Sequence, residues 1–115
     1  MPEIFEYNIH VQLPEGASQQ LIDRLGKFLS ICEFAARVFT IKNHEYGDAI
    51  RWGGVKGAVY ELIGGVSRLH HLVNKTRPTN QEAWKESVAD TMLDTLNYAV
   101  IGSLLLSDDN IDGLF

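Results

Sequence analysis

Apolar residues near the start of the chain alternate with polar ones. Between residues 4 and 13 this period of two is typical of a half-buried strand. Pro14 and Gly16 then interrupt the alternation. The pattern predicts a short strand or extended segment over residues 4–13. The alternating apolar positions are Tyr7, Ile9, Val11 and Leu13.

Three later stretches carry apolar residues three and four positions apart, which is the spacing of one helix face. The spacing predicts helices over residues 18–43, 55–75 and 80–107. Pro78 ends the second helix, because proline disfavours a helical conformation in the residue before it. Thr79 and Glu82 have the spacing of a capping box at the start of the third helix.

Three helices of this length predict an all-α bundle, and a chain of 115 residues fits a single domain over residues 1–115. Three helices alone leave the core of the bundle incompletely enclosed, because a fourth helix is normally needed to enclose a core of that length. We therefore expect the bundle to be completed by association with further copies. A homodimer and a homotetramer both remain open.

Charge and cysteine content restrict the partners and the cellular compartment that we expect. Fifteen acids against ten bases give a net charge of −5, which argues against binding duplex nucleic acid through bulk charge. Cys32 is the single cysteine, so no disulfide framework exists. No signal-peptide pattern is present, and the longest apolar run is far shorter than a membrane span. We expect a cytoplasmic protein without a membrane partner.

The third predicted helix carries acids four residues apart at Glu86, Asp90 and Asp94, with Asp94 nearest the middle of the polar side. One interpretation is an amphipathic helix whose acids face water. Further along, Ile101 and Leu104 fall at the same side of the helix, so the stripe borders an enclosed space. Carboxylates there cost several kcal/mol unless they are paired or bound to a cation. The apolar arc of this helix contains Val88, Met92, Leu93, Leu96 and Ala99.

The second predicted helix carries Glu61 and Arg68 on one flank, with Gly64 and Gly65 between them. Two glycines inside a helix cost roughly 1 kcal/mol each relative to alanine. A closely packed neighbouring helix and a ligand near the backbone are both possible reasons for them. Glu61 and Arg68 equally fit a plain surface ion pair.

Acids on facing helices match the preference of Mg²⁺ for a few hard oxygen ligands. No histidine pair has the spacing of a zinc site. Acids for a metal together with nearby bases are what a nucleoside triphosphate requires. A solvated surface of mixed charge is the alternative. The bases in this part of the chain are Lys42, Arg51, Lys56, Arg68, Lys75, Arg77 and Lys85.

Three motifs carry a resemblance to a known family. They are HEYGD at residues 44–48, the pair Arg68-Leu69, and ESVADTMLDTLNYAV at residues 86–100. Together they resemble the small nucleotide-modification-associated domains of phages and bacteria. The last motif also resembles the final helix of the MazG-like all-α nucleoside triphosphate pyrophosphatases. The resemblance covers about residues 33–106.

The resemblance implies a metal site built from two pairs of acids. MazG-like enzymes place ExxE on one helix and ExxD on the next, and these acids bind Mg²⁺. Carried over, Glu45 and Asp48 match ExxE with aspartate as the second acid. Glu86 and Asp90 match ExxD with one extra residue between them, and Glu61 is an alternative ligand to the first pair.

The implied reaction is hydrolysis of a (deoxy)nucleoside triphosphate to monophosphate and pyrophosphate, with Mg²⁺ or Mn²⁺ as the cofactor. Glu86 and Asp90 would bind the metal, while Asp94 would hold a second metal or act as a base. A non-catalytic nucleotide sensor or accessory protein is the second hypothesis. A helical interaction protein with structural salt bridges is the third. The resemblance assigns phosphate contacts to Lys56 and Arg68, and sugar or base contacts to Asn97 and Tyr98.

Overall fold

The computed structural model describes residues 3–47, 53–74 and 80–108. They form three helices, α1 (Gln19–Tyr46), α2 (Gly54–Asn74) and α3 (Gln81–Asp108). The predicted all-α fold is confirmed, and each helix boundary lies within three residues of its prediction. Within these residues no helix is long and apolar enough to cross a membrane.

Side chains just before two of the helices satisfy free backbone amides. The Ser18 hydroxyl accepts a hydrogen bond from the Leu21 amide at 3.1 Å at the start of α1. At α3, the Asn80 side-chain oxygen accepts one from the Ala83 amide, also at 3.1 Å. Thr79, predicted to cap this helix, lies outside the described residues. Both helix starts are thus fixed by local sequence.

The N-terminal segment does not form the strand that its alternation allows. Residues 3–14 have no regular structure, and their apolar side chains are exposed. A strand requires a hydrogen-bonded neighbour, and the described part of the chain provides none. The extended-segment alternative is the one compatible with the structure. A turn follows, in which the Ala17 amide donates to the Pro14 carbonyl at 3.1 Å.

The chain divides into two compact units, one ending at Ile31 and the other beginning at Cys32. The second unit contains the end of α1 and all described residues of α2 and α3. Every residue of the candidate site described below belongs to this second unit. Helix α1 ends at Tyr46, and Gly47 follows it with a φ of 59°, the left-handed conformation common after a helix terminus.

Helices α2 and α3 pack closely and run antiparallel. Three contacts define the pairing. The contact residues on α2 are seven positions, or two turns, apart, so they lie on one face of that helix. At one end a Cβ at Gly102 would lie 3.5 Å from the Ala58 Cβ. At the other end the Trp84 indole N–H donates to the Leu72 carbonyl at 2.8 Å. The paired residues are Ala58 with Gly102, Gly65 with Thr95, and Leu72 with Trp84.

The contact at Gly65 explains one of the two adjacent glycines in α2. A methyl group on Gly65 would overlap the Thr95 hydroxyl, whereas one on Gly64 would meet nothing within 4 Å. Close packing against α3 is therefore the reason for Gly65. No such contact accounts for Gly64.

The predicted apolar arc of α3 is covered only in part. Its half-buried members are Val88, Leu93 and Leu96. Met92 is 54% exposed and Ala99 is exposed, while Thr91 is buried. Small and polar side chains occupy the packed face, since helices approach most closely where side chains are short. Met92 and Ala99 are thus the members of the arc that hydrophobicity alone misplaced, because it does not take side-chain size into account.

Candidate functional site

Three helices contribute charged and phenolic side chains to one place in the second unit. Lys42 comes from α1, Glu61 from α2, and Asp94 and Tyr98 from α3; we call these four residues the polar cluster. The Lys42 ammonium lies 3.0 Å from the Asp94 carboxylate, joining α1 to α3. Asp94 and Tyr98 are one turn apart on α3 and therefore share a face.

The side chains of the Lys42–Asp94 pair are 55% and 46% exposed, respectively. An ion pair so accessible to water contributes only about 0–1 kcal/mol to stability. A stronger anion could also replace Asp94 as the ion-pair partner of Lys42.

The pKa of Tyr98 depends on the groups that surround its side chain. Burial is the largest cause that raises its pKa above the ordinary value of 10.0. The negative charges of Glu61 and Asp94 raise the pKa further, and the positive charge of Lys42 lowers it. Both carboxylates therefore lie within electrostatic reach of the phenol. Tyr98 stays protonated at neutral pH and can donate a hydrogen bond.

Two asparagines lie beside the cluster in sequence. The buried Asn97 side-chain amide donates to the Ala35 carbonyl at 3.3 Å, tying α3 to α1. The side-chain oxygen of Asn43 is buried and has no hydrogen-bond partner among the described residues. Such an acceptor costs about 1–3 kcal/mol when it is left unsatisfied. Sequence reasoning did not single out Asn43.

The predicted metal ligands do not come together in the described residues. Glu86 and Asp90 are exposed on α3, and Glu45 is exposed near the end of α1. Glu61 belongs to the polar cluster, while Asp48 lies outside the described residues. In the part of the chain that is described, no three His, Cys, Asp or Glu side chains form a group able to hold a metal ion.

The other predicted site residues are distributed along α2 and α3. The Lys56 ammonium lies 6.0 Å from the centre of the Tyr60 ring, a cation–π distance. Arg68 is exposed. The side of α3 beyond the acids is only partly closed, because Ile101 is half-buried and Leu104 is 42% exposed. Within the described residues, an ion pair joins Asp94 of that stripe to another helix.

The arrangement suits a polyanion bound together with a cation. Lys42 can neutralise a phosphate oxygen, and its transfer from Asp94 to phosphate frees a carboxylate. Tyr98 can donate to phosphate or sugar oxygens, because its raised pKa keeps the phenol protonated. Charge-assisted bonds of this kind are about twice as strong as neutral ones.

The titration of Tyr98 tests this arrangement directly. Asp94→Asn is expected to lower the Tyr98 pKa and Lys42→Met to raise it, since each removes a charge that acts on the phenol. Ultraviolet absorbance of ionised tyrosine, with Tyr98→Phe subtracted, measures the shift. A Tyr98 pKa that neither variant changes would contradict the proximity of the three groups.

The same raised pKa has a consequence for stability. The unfolded chain loses the Tyr98 proton at a lower pH than the folded chain does. The contribution is complete below about pH 10 and is lost as pH rises through the folded pKa. The free energy of unfolding should therefore decline as pH rises above about 10, and Tyr98→Phe should reduce the slope of that decline.

No protein-family model, curated protein or solved structure matches this chain. The fold and the polar cluster are therefore the structural basis for a functional proposal.

Proposed function

We propose that the protein is a MazG-like, Mg²⁺-dependent pyrophosphohydrolase of (deoxy)nucleoside triphosphates. The observation that carries this proposal is the polar cluster, in which three helices supply an ammonium, two carboxylates and a protonated phenol. These are the groups that a triphosphate with its metal requires. The motifs around Glu45 and Glu86 point to the same chemistry.

The exposed acids of α3 complement the cluster. Glu86, Asp90 and Asp94 are each four residues apart, so they follow one another along a single side of the helix. A cation held at Asp90 would lie about 6 Å, or one turn, from the Lys42–Asp94 pair. That distance suits adjacent phosphate groups of one nucleotide.

The absence of three converging ligands in the described residues is compatible with this proposal. Mg²⁺ is commonly held by one or two carboxylates, with water and substrate phosphates completing its coordination. Glu86 and Asp90 would be those carboxylates, with Glu61 or the Glu45 pair adding to them. The cation would supply charge neutralisation and polarise the phosphoryl oxygens.

The residues of the cluster would then act on the substrate and the attacking water. Lys42 would move from Asp94 to a phosphate oxygen and neutralise its charge. Asp94 would accept a proton from water as the water oxygen attacks phosphorus. The α–β anhydride bond breaks, and pyrophosphate leaves with its electron pair. Tyr98 would orient the nucleotide through its phenolic hydrogen.

A second candidate is a non-catalytic nucleotide sensor or accessory protein. The observation that favours it is that the described acids include no ready-made group of three metal ligands. In that case the polar cluster would bind nucleotide, and no bond would break. The third hypothesis, a helical interaction protein with structural salt bridges, predicts that Asp90→Asn leaves Mg²⁺ affinity unchanged.

One paired experiment separates these functions. The protein is incubated at high concentration with ribo- and deoxyribonucleoside triphosphates and Mg²⁺ or Mn²⁺, and pyrophosphate is measured. Release from at least one nucleotide is expected, together with a rise in melting temperature on nucleotide binding. A thermal shift without pyrophosphate would favour the sensor. Neither signal from any nucleotide would reject both.

A further inference from the structure

The N-terminal segment alternates apolar and polar side chains, and in the structure the apolar ones are exposed. Successive side chains of an extended chain point to opposite faces, so the odd-numbered residues form one apolar face. Their exposure falls from 89% at Phe5 to 39% at Leu13. We call residues 4–13 the alternating segment. The apolar set is Phe5, Tyr7, Ile9, Val11 and Leu13, and the polar set is Glu6, Asn8, His10 and Gln12.

The backbone of the alternating segment has no partner among the described residues. No hydrogen bond within that part of the chain includes residues 4–13. Its regular structure is helical throughout, so it offers no strand for pairing. Pro14 ends the segment, since it has no N–H to continue a ladder, and its carbonyl accepts from the Ala17 amide. The N–H and C=O groups of residues 4–13 are therefore available to a strand supplied from outside the described residues.

The composition of the alternating segment is that of a strand and differs from that of a solvated linker. Aromatic and β-branched residues such as Tyr7, Ile9 and Val11 favour strands. Disordered segments are poor in these residues and rich in glycine and proline, both of which are absent from residues 3–13. An exposed run of this kind readily pairs with the open edge of a sheet. Sequence and backbone thus favour the same kind of partner.

The charge of the segment favours a different protein over a second copy as that partner. Glu3, Glu6 and Glu15 surround it, and the first lysine or arginine in the chain is Arg24. Pairing two copies would bring acids together, and like charges on paired strands are destabilising. The described residues of a second copy would also offer only the same segment, and an isolated pair of strands is marginally stable in water. A sheet edge with basic side chains meets both requirements, and lysine is common on such edges.

We propose that the alternating segment binds as an added edge strand to the β-sheet of another protein, at an open edge that carries basic side chains. Its backbone would continue the hydrogen-bond ladder of that sheet, which gives affinity. The apolar set would cover the adjoining apolar face of the partner, and the polar set would face water. The inference does not depend on the nucleotide chemistry.

Amide hydrogen exchange of the isotope-labelled full chain tests the backbone pairing. The probe is a synthetic three-stranded β-sheet peptide with an apolar face, lysines on one open edge, and N-methylated residues blocking the other edge. Only every second N–H of an edge strand points at its neighbour, so alternate amides of residues 5–13 should exchange about 10-fold more slowly or less rapidly still with the probe bound. Unchanged exchange, or protection of consecutive amides, would overturn the proposal. So would protection that appears without the probe and grows with protein concentration, because a second copy would then be the partner.

Matched substitutions at neighbouring positions test the two faces. Ile9→Glu is expected to raise the Kd for the same probe by about 10-fold or more, and His10→Glu to change it by less than about 3-fold. Both residues precede α1, so the far-ultraviolet circular dichroism of the helices should be the same in both variants. A probe with glutamates in place of its lysines should bind the natural chain more weakly. Equal weakening by both variants, equal binding of both probes, or a natural Kd above about 1 mM would each contradict the proposal.

Discussion

Gly65→Ala is expected to lower the free energy of unfolding by about 2 kcal/mol, while Gly64→Ala raises it by roughly 0.5–1 kcal/mol. The two glycines are neighbours on the same helix, so both substitutions remove the same backbone freedom. They differ in what the new methyl meets. At Gly65 it overlaps the Thr95 hydroxyl, and at Gly64 it meets open space.

The overlap at Gly65 is hard to relieve locally. The Thr95 hydroxyl donates to the Thr91 carbonyl at 2.7 Å, which holds its rotamer. The Thr95 Cβ and Cγ2 atoms lie only 3.5 and 3.7 Å from the same methyl position. Rotating the side chain exchanges one crowded atom for another. The helices must therefore separate and lose packing along their shared face.

A double variant supplies the decisive control for this prediction. Thr95→Ala removes both the hydroxyl and Cγ2, leaving Cβ at an ordinary contact distance from the new methyl. Gly65→Ala should therefore cost less in a Thr95→Ala background than in the natural chain. Urea denaturation of the four variants measures the coupling. Additive effects would show that the two helices do not meet at these residues.

The helices could be predicted because their signal is local. Spacing of three and four over 20 residues, with Ser18 before α1 and Pro78 after α2, requires no knowledge of distant residues. The N-terminal alternation is a weaker signal. Ile9 and Val11 have the right period, but a strand forms only where another strand pairs with it. The sequence of the segment carries no information about that neighbour.

The orientation of α3 was less predictable than its existence. The hydrophobic pattern favoured a buried Met92, whereas Thr91 and Thr95 occupy the face of α3 that packs on α2. Short side chains on α3 allow α2 to approach closely, and Gly65 is the corresponding small residue on α2. Reading Gly65 and Thr95 together, as a pair of small residues on facing helices, would have identified the interface.

The polar cluster was predicted only in part. Glu61, Asp94 and Tyr98 were recognised individually, and the structure brings them together. Lys42 is 52 residues from Asp94 in sequence, so their contact depends on how α1 lies against α3. Asn97 was expected to contact a sugar or base, yet its amide already bonds to Ala35. Contacts between helices depend on how the helices pack, and the spacing of residues within one helix does not predict them.

Asp94→Asn is expected to reduce the rate of pyrophosphate release by about 100-fold or more, in the range for loss of a general base. The substitution keeps the size of the side chain and removes its ability to accept the proton of water. Lys42→Met should instead raise KM, because it removes a positive charge that binds phosphate before and during the reaction. Steady-state kinetics on the best nucleotide separate the two effects.

The control is an ion pair of similar exposure outside the cluster. Arg37 and Glu33 lie 2.8 Å apart on α1, with side chains 69% and 66% exposed. Glu33→Gln removes the same charge as Asp94→Asn and breaks a comparable pair. Both pairs are accessible to water, so neither variant should change stability by more than about 1 kcal/mol. A loss of activity in Asp94→Asn alone would therefore reflect a role in catalysis. Unchanged activity in both would make the Lys42–Asp94 pair a structural link, as the interaction-protein hypothesis predicts.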